Sequence, residues 1–136
     1  MDAPIRPSPE LAAIINRWQE AFRRRDARTV ENLLSKDASL RFVGSDHGEY
    51  WTDEIVRSGM GDHVLEIPEL TYDVDLIEAF EKGPFGWGLW IGGMKFAGGD
   101  DVHIHRVSFV FTLEDGQWRV AQIHASNPFS NETRWI

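Results

Sequence analysis

Two groups of side chains in this sequence could do chemistry. Asp46, His47 and Glu49 sit in the polar, glycine-marked stretch Gly44–Trp51, and His103, His105 and His124 fall in the apolar stretch Val102–Ser126. A histidine or carboxylate facing an apolar pocket can serve as a general base, provided a donor meets the oxyanion that develops. Asp46 and His105 are the candidates for that role. Each also has an ordinary reading, Asp46 as a turn residue and His105 as a hydrogen-bonded strand residue. No spacing compels a proton-transfer pair, so binding without catalysis is the preferred expectation. His103 and His105 stand at i and i+2, where a strand points both to one face, and with Glu49 they could hold a metal. The sequence lacks the glycine-rich context of a metal-binding barrel, and no metal or cofactor is expected. His124 and Ser126 share that spacing but lack an acid to orient the histidine, which argues against a nucleophilic pair.

Which histidines share a face depends on one turn. Two runs rich in Val, Ile, Phe and Trp flank Glu114-Asp115-Gly116, the pattern of a β-hairpin. A two-residue Asp115-Gly116 loop pairs Glu114 with Gln117. It puts Val107, Phe109 and Phe111 on a face with Trp118, Gln122, His124 and Ser126. A three-residue loop pairs Leu113 with Gln117 and puts His105, Val107, Phe109 and Phe111 with Ala121, Ile123 and Ala125. A slip of one residue moves every side chain to the other face. The second register separates apolar from polar better, so a three-residue loop is expected. His103 and His105 then face the pocket, and His124 lies beside Arg106 on the opposite face.

The elements that hold this hairpin follow from period and punctuation. Ser8 can cap a helix with Pro9 at its first position, and Leu11, Ile14, Ile15, Trp18, Ala21 and Phe22 form its apolar stripe. Arg23, Arg24 and Arg25 close it, and Asp26 can cap a short second helix with Val30, Leu33 and Leu34. Ala38–Val43 reads as a strand. Thr52 can cap a third short helix that Gly59 and Gly61 weaken and end, leaving Asp62–Glu69 as a connection. From Leu70 the period becomes two, with Tyr72, Val74 and Leu76 on one face. Lys82-Gly83-Pro84 turns the chain into a strand over Phe85–Ala97. That strand carries Trp87, Leu89 and Ile91 on one face and Trp90, Met94 and Phe96 on the other. Its internal glycines suggest bulges or sharp bending. Apolar on both faces, it should be covered twice, by the helices and by a second subunit.

Composition narrows the partners. The 136 residues carry a net charge of −8, which argues against a nucleic-acid or acidic-membrane partner. Hydrophobic residues at 42% give an ordinary globular balance, and no apolar run is long enough to span a bilayer. The chain has no cysteine and no visible signal peptide, which fits a cytoplasmic protein. Six Trp and eight Phe supply an aromatic core and the walls of a pocket.

Several of these pieces together carry a resemblance. They are Trp18 in the opening helix, Arg25-Asp26-Ala27 at the helix break, and Phe42-Val43-Gly44-Ser45-Asp46 leading to Glu49-Tyr50-Trp51. The closing pieces are Asp115-Gly116-Gln117-Trp118-Arg119-Val120 and His124-Ala125-Ser126. Over about residues 10 to 128 the set resembles the nuclear transport factor 2-like superfamily and, within it, the SnoaL-like group. The resemblance implies an α+β cone, a strongly bent antiparallel sheet packed against N-terminal helices and often dimeric through the outer sheet face. Relatives include isomerase-like and dehydratase enzymes, polyketide cyclases and non-catalytic binding modules, so the fold alone does not fix the function. Where the kinase association domain of this superfamily carries lumen arginines, the matching positions are Phe109 and Ala125, which implies an apolar pocket. Asn127-Pro128-Phe129-Ser130-Asn131-Glu132 is similar to the exit from such domains in longer signalling proteins.

The combined expectation is one domain over residues 1–136, with a mobile arm at 1–7 and a tail at 128–136. A homodimer forms through the outer sheet face. The pocket takes a small apolar or aromatic molecule and is lined by Trp18, Phe22, Phe42, Trp51, Trp90, His105, Phe109 and Ile123. The alternative is a cofactor-independent lyase or isomerase, or a polyketide cyclase-like enzyme, with Asp46 or His105 as base.

Overall fold

A computed structural model describes residues 3–129. Its elements in order are β1 Arg6–Pro7, α1 Pro9–Arg24, α2 Ala27–Leu33, β2 Arg41–Val43, β3 Tyr50–Trp51, α3 Asp53–Glu66, β4 Leu70–Lys82, β5 Phe85–Phe96, β6 His103–Glu114 and β7 Gln117–Ser126. The strands form one curled, open sheet in the order β1-β4-β5-β6-β7-β2-β3. Pairing is antiparallel except where β2 runs beside β7. The helices cover the inner face, which is the expected α+β cone. Residues 6 and 7 of the expected arm are instead a short strand, Arg6 opposite Glu81 and Pro7 opposite Phe80. Of the expected tail, residues 130–136 lie outside the described part.

Local chemistry starts and stops the helices as the sequence predicts. Ser8 Oγ accepts from the Leu11 N–H at 3.2 Å, satisfying one of the free donors of the first turn of α1. Arg25 closes that helix in the left-handed conformation, at φ 57°. Asp26 Oδ1 then accepts from the Thr29 N–H at 3.2 Å and opens α2. Leu11, Ile14, Ile15, Trp18 and Ala21 are buried along one stripe of α1, and that stripe packs on β4 and β5.

The close packing of α1 explains the glycines of β5. A methyl group at Gly86 would overlap the Leu11 side chain, and one at Gly88 would lie 2.5 Å from Ile15 Cδ1. These residues therefore mark close approach of a helix, and β5 itself carries no bulge. The register shifts fall on other strands. One lies between Val74 and Leu76 in β4, so Leu76 leaves the face of Tyr72, and Ile77 and Ala79 continue it.

The second shift decides the hairpin. The loop has two residues, Asp115 at φ 51° and Gly116 at φ 77°, and Glu114 pairs with Gln117. The expected three-residue loop is thus corrected, because Asp-Gly suits a tight turn with both central residues at positive φ. The pairing then slips: Phe111 sits opposite Val120, but Val110 sits opposite Gln122. Ala121 is the extra residue, a β-bulge. Below it Trp118 and Val120 turn inward with Phe111; above it Ile123 and Ala125 turn inward with Phe109 and Val107. The expected face for His105 survives because the bulge restores the register that the turn removes.

The third helix also departs from expectation. It runs through Gly59 and Gly61 to Glu66, and Thr52 occupies its N-cap position without a side-chain hydrogen bond. Val56, Met60 and Val64 are fully buried at four-residue spacing. Their burial outweighs the roughly 1 kcal/mol that each glycine costs in a helix. Gly61 faces α2, where a methyl would lie 2.6 Å from the Glu31 carboxylate.

Candidate functional site

The wide end of the cone holds a cavity of about 460 Å³. Helix α1 contributes Trp18, Gln19, Phe22 and Arg23, side chains that a helix stacks on one side. The strands add Phe42, Tyr72, Met94, Phe96, His105, Val107, Ile123 and Ala125. Gly44, Ser45, Asp46 and Glu49 form the rim between β2 and β3, and His63, Ile67 and Pro68 close the side below it.

Of the residues expected at the site, Trp18, Phe22, Phe42, Asp46, His105 and Ile123 stand on the cavity wall. Trp51, Trp90 and Phe109 do not line it. Trp51 lies behind Phe42, ring centres 5.1 Å apart. Phe109 supports Trp18 edge-on at 6.1 Å. Trp90 is fully buried beneath Tyr72 and His105, with ring centres 5.3 and 6.4 Å away. Its Nε1–H has no hydrogen-bond partner among the described residues. Sequence alternation gives the face of each residue but not its depth, and these three occupy the layer behind the wall.

His63 escapes the sequence reading because its segment reads as a connection. In α3 it faces Phe22, Phe42 and Trp51, with ring centres 6.1, 5.8 and 5.4 Å away. The four-residue recurrence of Val56, Met60 and Val64 is the signal that could have extended the helix and brought His63 to the pocket.

The polar groups are unequally engaged. Asp46 is exposed; its Oδ1 accepts from the His47 N–H at 2.7 Å, and its own N–H donates to Glu49 Oε1 at 2.8 Å. Both carboxylates thus serve the turn of the rim. Tyr72 donates its hydroxyl to Glu20 Oε1 at 3.0 Å. Glu20 Oε2 accepts from Arg23 Nε at 3.1 Å and Nη2 at 2.9 Å. Hydrogen bonding to Arg23 leads the interactions that hold Glu20 below the usual carboxylate range, with Tyr72 and the charges of Arg23 and Arg24 assisting against burial. Burial, followed by the neighbouring Glu20 carboxylate, pushes the Tyr72 phenol upward. Tyr72 therefore remains a protonated donor, already committed to Glu20. Asn127 meets His105 Nδ1 at 2.9 Å.

His103 packs against Phe96 at 5.6 Å between ring centres. Among the described residues no group of three or more His, Asp or Glu could hold a metal ion. None of the described helices is long and apolar enough to cross a membrane. His124 sits on the outer face opposite Ser108, and Arg106 Nε donates to Ser126 Oγ at 3.2 Å on that same face.

Comparison with solved structures gives the same fold at low identity. An NTF2-like protein of unknown function from Pseudomonas putida KT2440 is 18% identical, with a TM-score of 0.76 over 91% of this chain and 88% of that one. A provisionally named dehydratase of the NTF2-like family from Streptomyces avermitilis is 15% identical, with a TM-score of 0.74 over 89% and 95%. A provisionally named ketosteroid isomerase from Shewanella frigidimarina is 13% identical, with a TM-score of 0.71 over 87% and 96%. No curated protein matches the sequence. The family model of the SnoaL-like domain matches residues 11–130. With that match, and an architecture like that of the NTF2-like structures, the chain belongs to the SnoaL-like domain family.

Proposed function

We propose that this domain binds a small, largely apolar, ring-bearing molecule in the cone and does no chemistry on it. The observation that carries the reading is the cavity itself. Its inner walls are Trp18, Phe22, Phe42, Met94, Phe96 and Ile123, whereas its carboxylates stand at the rim and are engaged in the turn. Such a wall favours apolar rings by burial, and a few polar groups orient them. The test is thermal melting with apolar aromatic probes such as naphthalene derivatives. At ten times Kd a ligand stabilises by about 1.4 kcal/mol. That corresponds to a rise in Tm of roughly 3–8 °C. If no such probe moves Tm, the pocket reading fails.

The second reading is a lyase or isomerase, favoured by the likeness in fold to proteins provisionally named a dehydratase and a ketosteroid isomerase. It requires a base, and Asp46 and His105 are the candidates that reach the cavity. Under that reading His105→Ala abolishes turnover of a cyclic ketone or hydroxy substrate. Under the binding reading the same change only weakens a ligand.

The outer face of the sheet supports a homodimer, in a cytoplasmic setting that suits a cysteine-free chain. Phe80, Trp87 and Val110 stand in one cross-strand row, with Leu76 and Ile91 in another. Leu76, Trp87, Leu89 and Val110 remain 37–40% exposed in the single chain. A contiguous apolar sheet face of this kind is covered in solution by a partner, here a second copy of the chain. Light scattering should give the dimer mass for the wild type and the monomer mass for Trp87→Glu. A monomeric wild type at tens of micromolar removes the proposal.

A further inference from the structure

We propose that His105 is a hydrogen-bond donor to a carbonyl or similar acceptor oxygen on the ligand, and that Asn127 positions it by fixing its tautomer. This rests on the pocket reading above and narrows it to ring-bearing molecules that carry an acceptor.

The argument begins with the Asn127 amide. With its nitrogen toward the imidazole, its two N–H groups face three acceptors, one being shared: His105 Nδ1 at 2.9 Å, the Ile104 carbonyl at 3.2 Å and the Ser126 carbonyl at 3.3 Å. The opposite orientation would set an amide oxygen against two backbone carbonyl oxygens, which repel it. The network therefore assigns the amide. A donor at Nδ1 makes that nitrogen an acceptor, so the ring proton resides on Nε2. His105 belongs to the cavity wall. Among the described residues its Nε2 has no hydrogen-bond partner.

Two of the competing donor residues are engaged with Glu20, whereas Gln19, Ser45 and His63 also line the cavity. The Tyr72 hydroxyl and the Arg23 Nε and Nη2 groups are bound to Glu20. The rim carboxylates of Asp46 and Glu49 would repel an acceptor oxygen. Among these donors His105 is the one whose tautomer a neighbour fixes, and an acceptor-bearing ring can meet it with its apolar part against Trp18 and Phe22. The same tautomer removes His105 from the role of general base: Nδ1 accepts from Asn127, and Nε2 already carries the proton. If the site does catalyse proton transfer, His105 acts there as the electrophilic donor and the base is another group.

The tautomer can be read without any ligand. Long-range proton–nitrogen NMR on the full chain should show His105 protonated at Nε2. In Asn127→Asp, where the new carboxylate can only accept, the proton should appear at Nδ1. Binding is tested with the matched probes 1-tetralone and tetralin, which share a bicyclic frame and differ by the carbonyl. The preference for the ketone over the hydrocarbon should fall about five-fold in His105→Leu and in Asn127→Asp, the loss of one neutral hydrogen bond. Tetralin affinity should stay unchanged in Asn127→Asp. A wild-type proton on Nδ1, or an unaltered ketone preference in both variants, overturns the inference while leaving the pocket. Failure of both probes to bind the wild type overturns the pocket reading and the donor role with it.

Discussion

Trp18→Ala is expected to lower the unfolding free energy by about 3–5 kcal/mol, the range for deleting a buried large aromatic. The indole is 2% exposed and joins two parts of the protein. One side packs on Phe109 at 6.1 Å within the core; another meets Phe22 at 5.5 Å along the cavity wall. Its removal leaves a void continuous with the cavity, which the sheet cannot close by collapse. Binding of naphthalene-type probes should be lost as well, because the wall is gone. Urea unfolding of the variant and its melting with and without probe provide the check. A stability loss under roughly 1 kcal/mol, as seen for surface changes, would contradict this placement. Trp18→Phe keeps an aromatic wall and should retain much of both properties.

Gly88→Val should be nearly as damaging, through crowding. A Cβ at this position meets the Glu78 carbonyl oxygen at 2.7 Å, Ile15 Cδ1 at 2.5 Å and Ala79 Cβ at 3.1 Å. The isoleucine end can rotate away, but the backbone oxygen of a paired strand cannot. Helix α1 would have to lift from the sheet or β4 would have to separate from β5. We expect a loss at or above the upper end of about 1–3 kcal/mol for overpacking. Gly99→Ala is the control: its Cβ would meet only Phe96 O, at 3.5 Å. That variant should stay within about 0.5 kcal/mol of wild type. Equal stability of the two variants in denaturant would remove the close helix–sheet approach from the account.

The sequence made the first two helices readable because each carries its own cap and one apolar stripe. It made β5 readable because Trp87, Leu89 and Ile91 alternate strictly with Gly88, Trp90 and Gly92. Less of the site was visible. In α3 the glycines point to a helix end when weighed alone, and only burial of Val56, Met60 and Val64 against the rest of the chain reverses that. With the end misplaced, His63 could not be assigned to the cavity. Trp51, Trp90 and Phe109 share inward faces with wall residues, yet the curvature of the sheet decides who stands in front. Asn127 carries no periodic signal at all, since its contact with His105 arises where β7 has already ended.

The extra residue at Ala121 lets one strand satisfy two different bodies. Near the tip, Val120 reaches Leu34 through an isolated bridge and Trp118 is buried. Further along, Ile123 and Ala125 serve the cavity. A regular ladder from the two-residue turn would satisfy the first and turn the cavity residues outward; a longer loop with a regular ladder would do the reverse. The bulge works as a vernier between two scales of the same ruler. The tip and the mouth of the hairpin can each keep the phase that suits its own neighbours, so evolutionary change in one need not be written into the other.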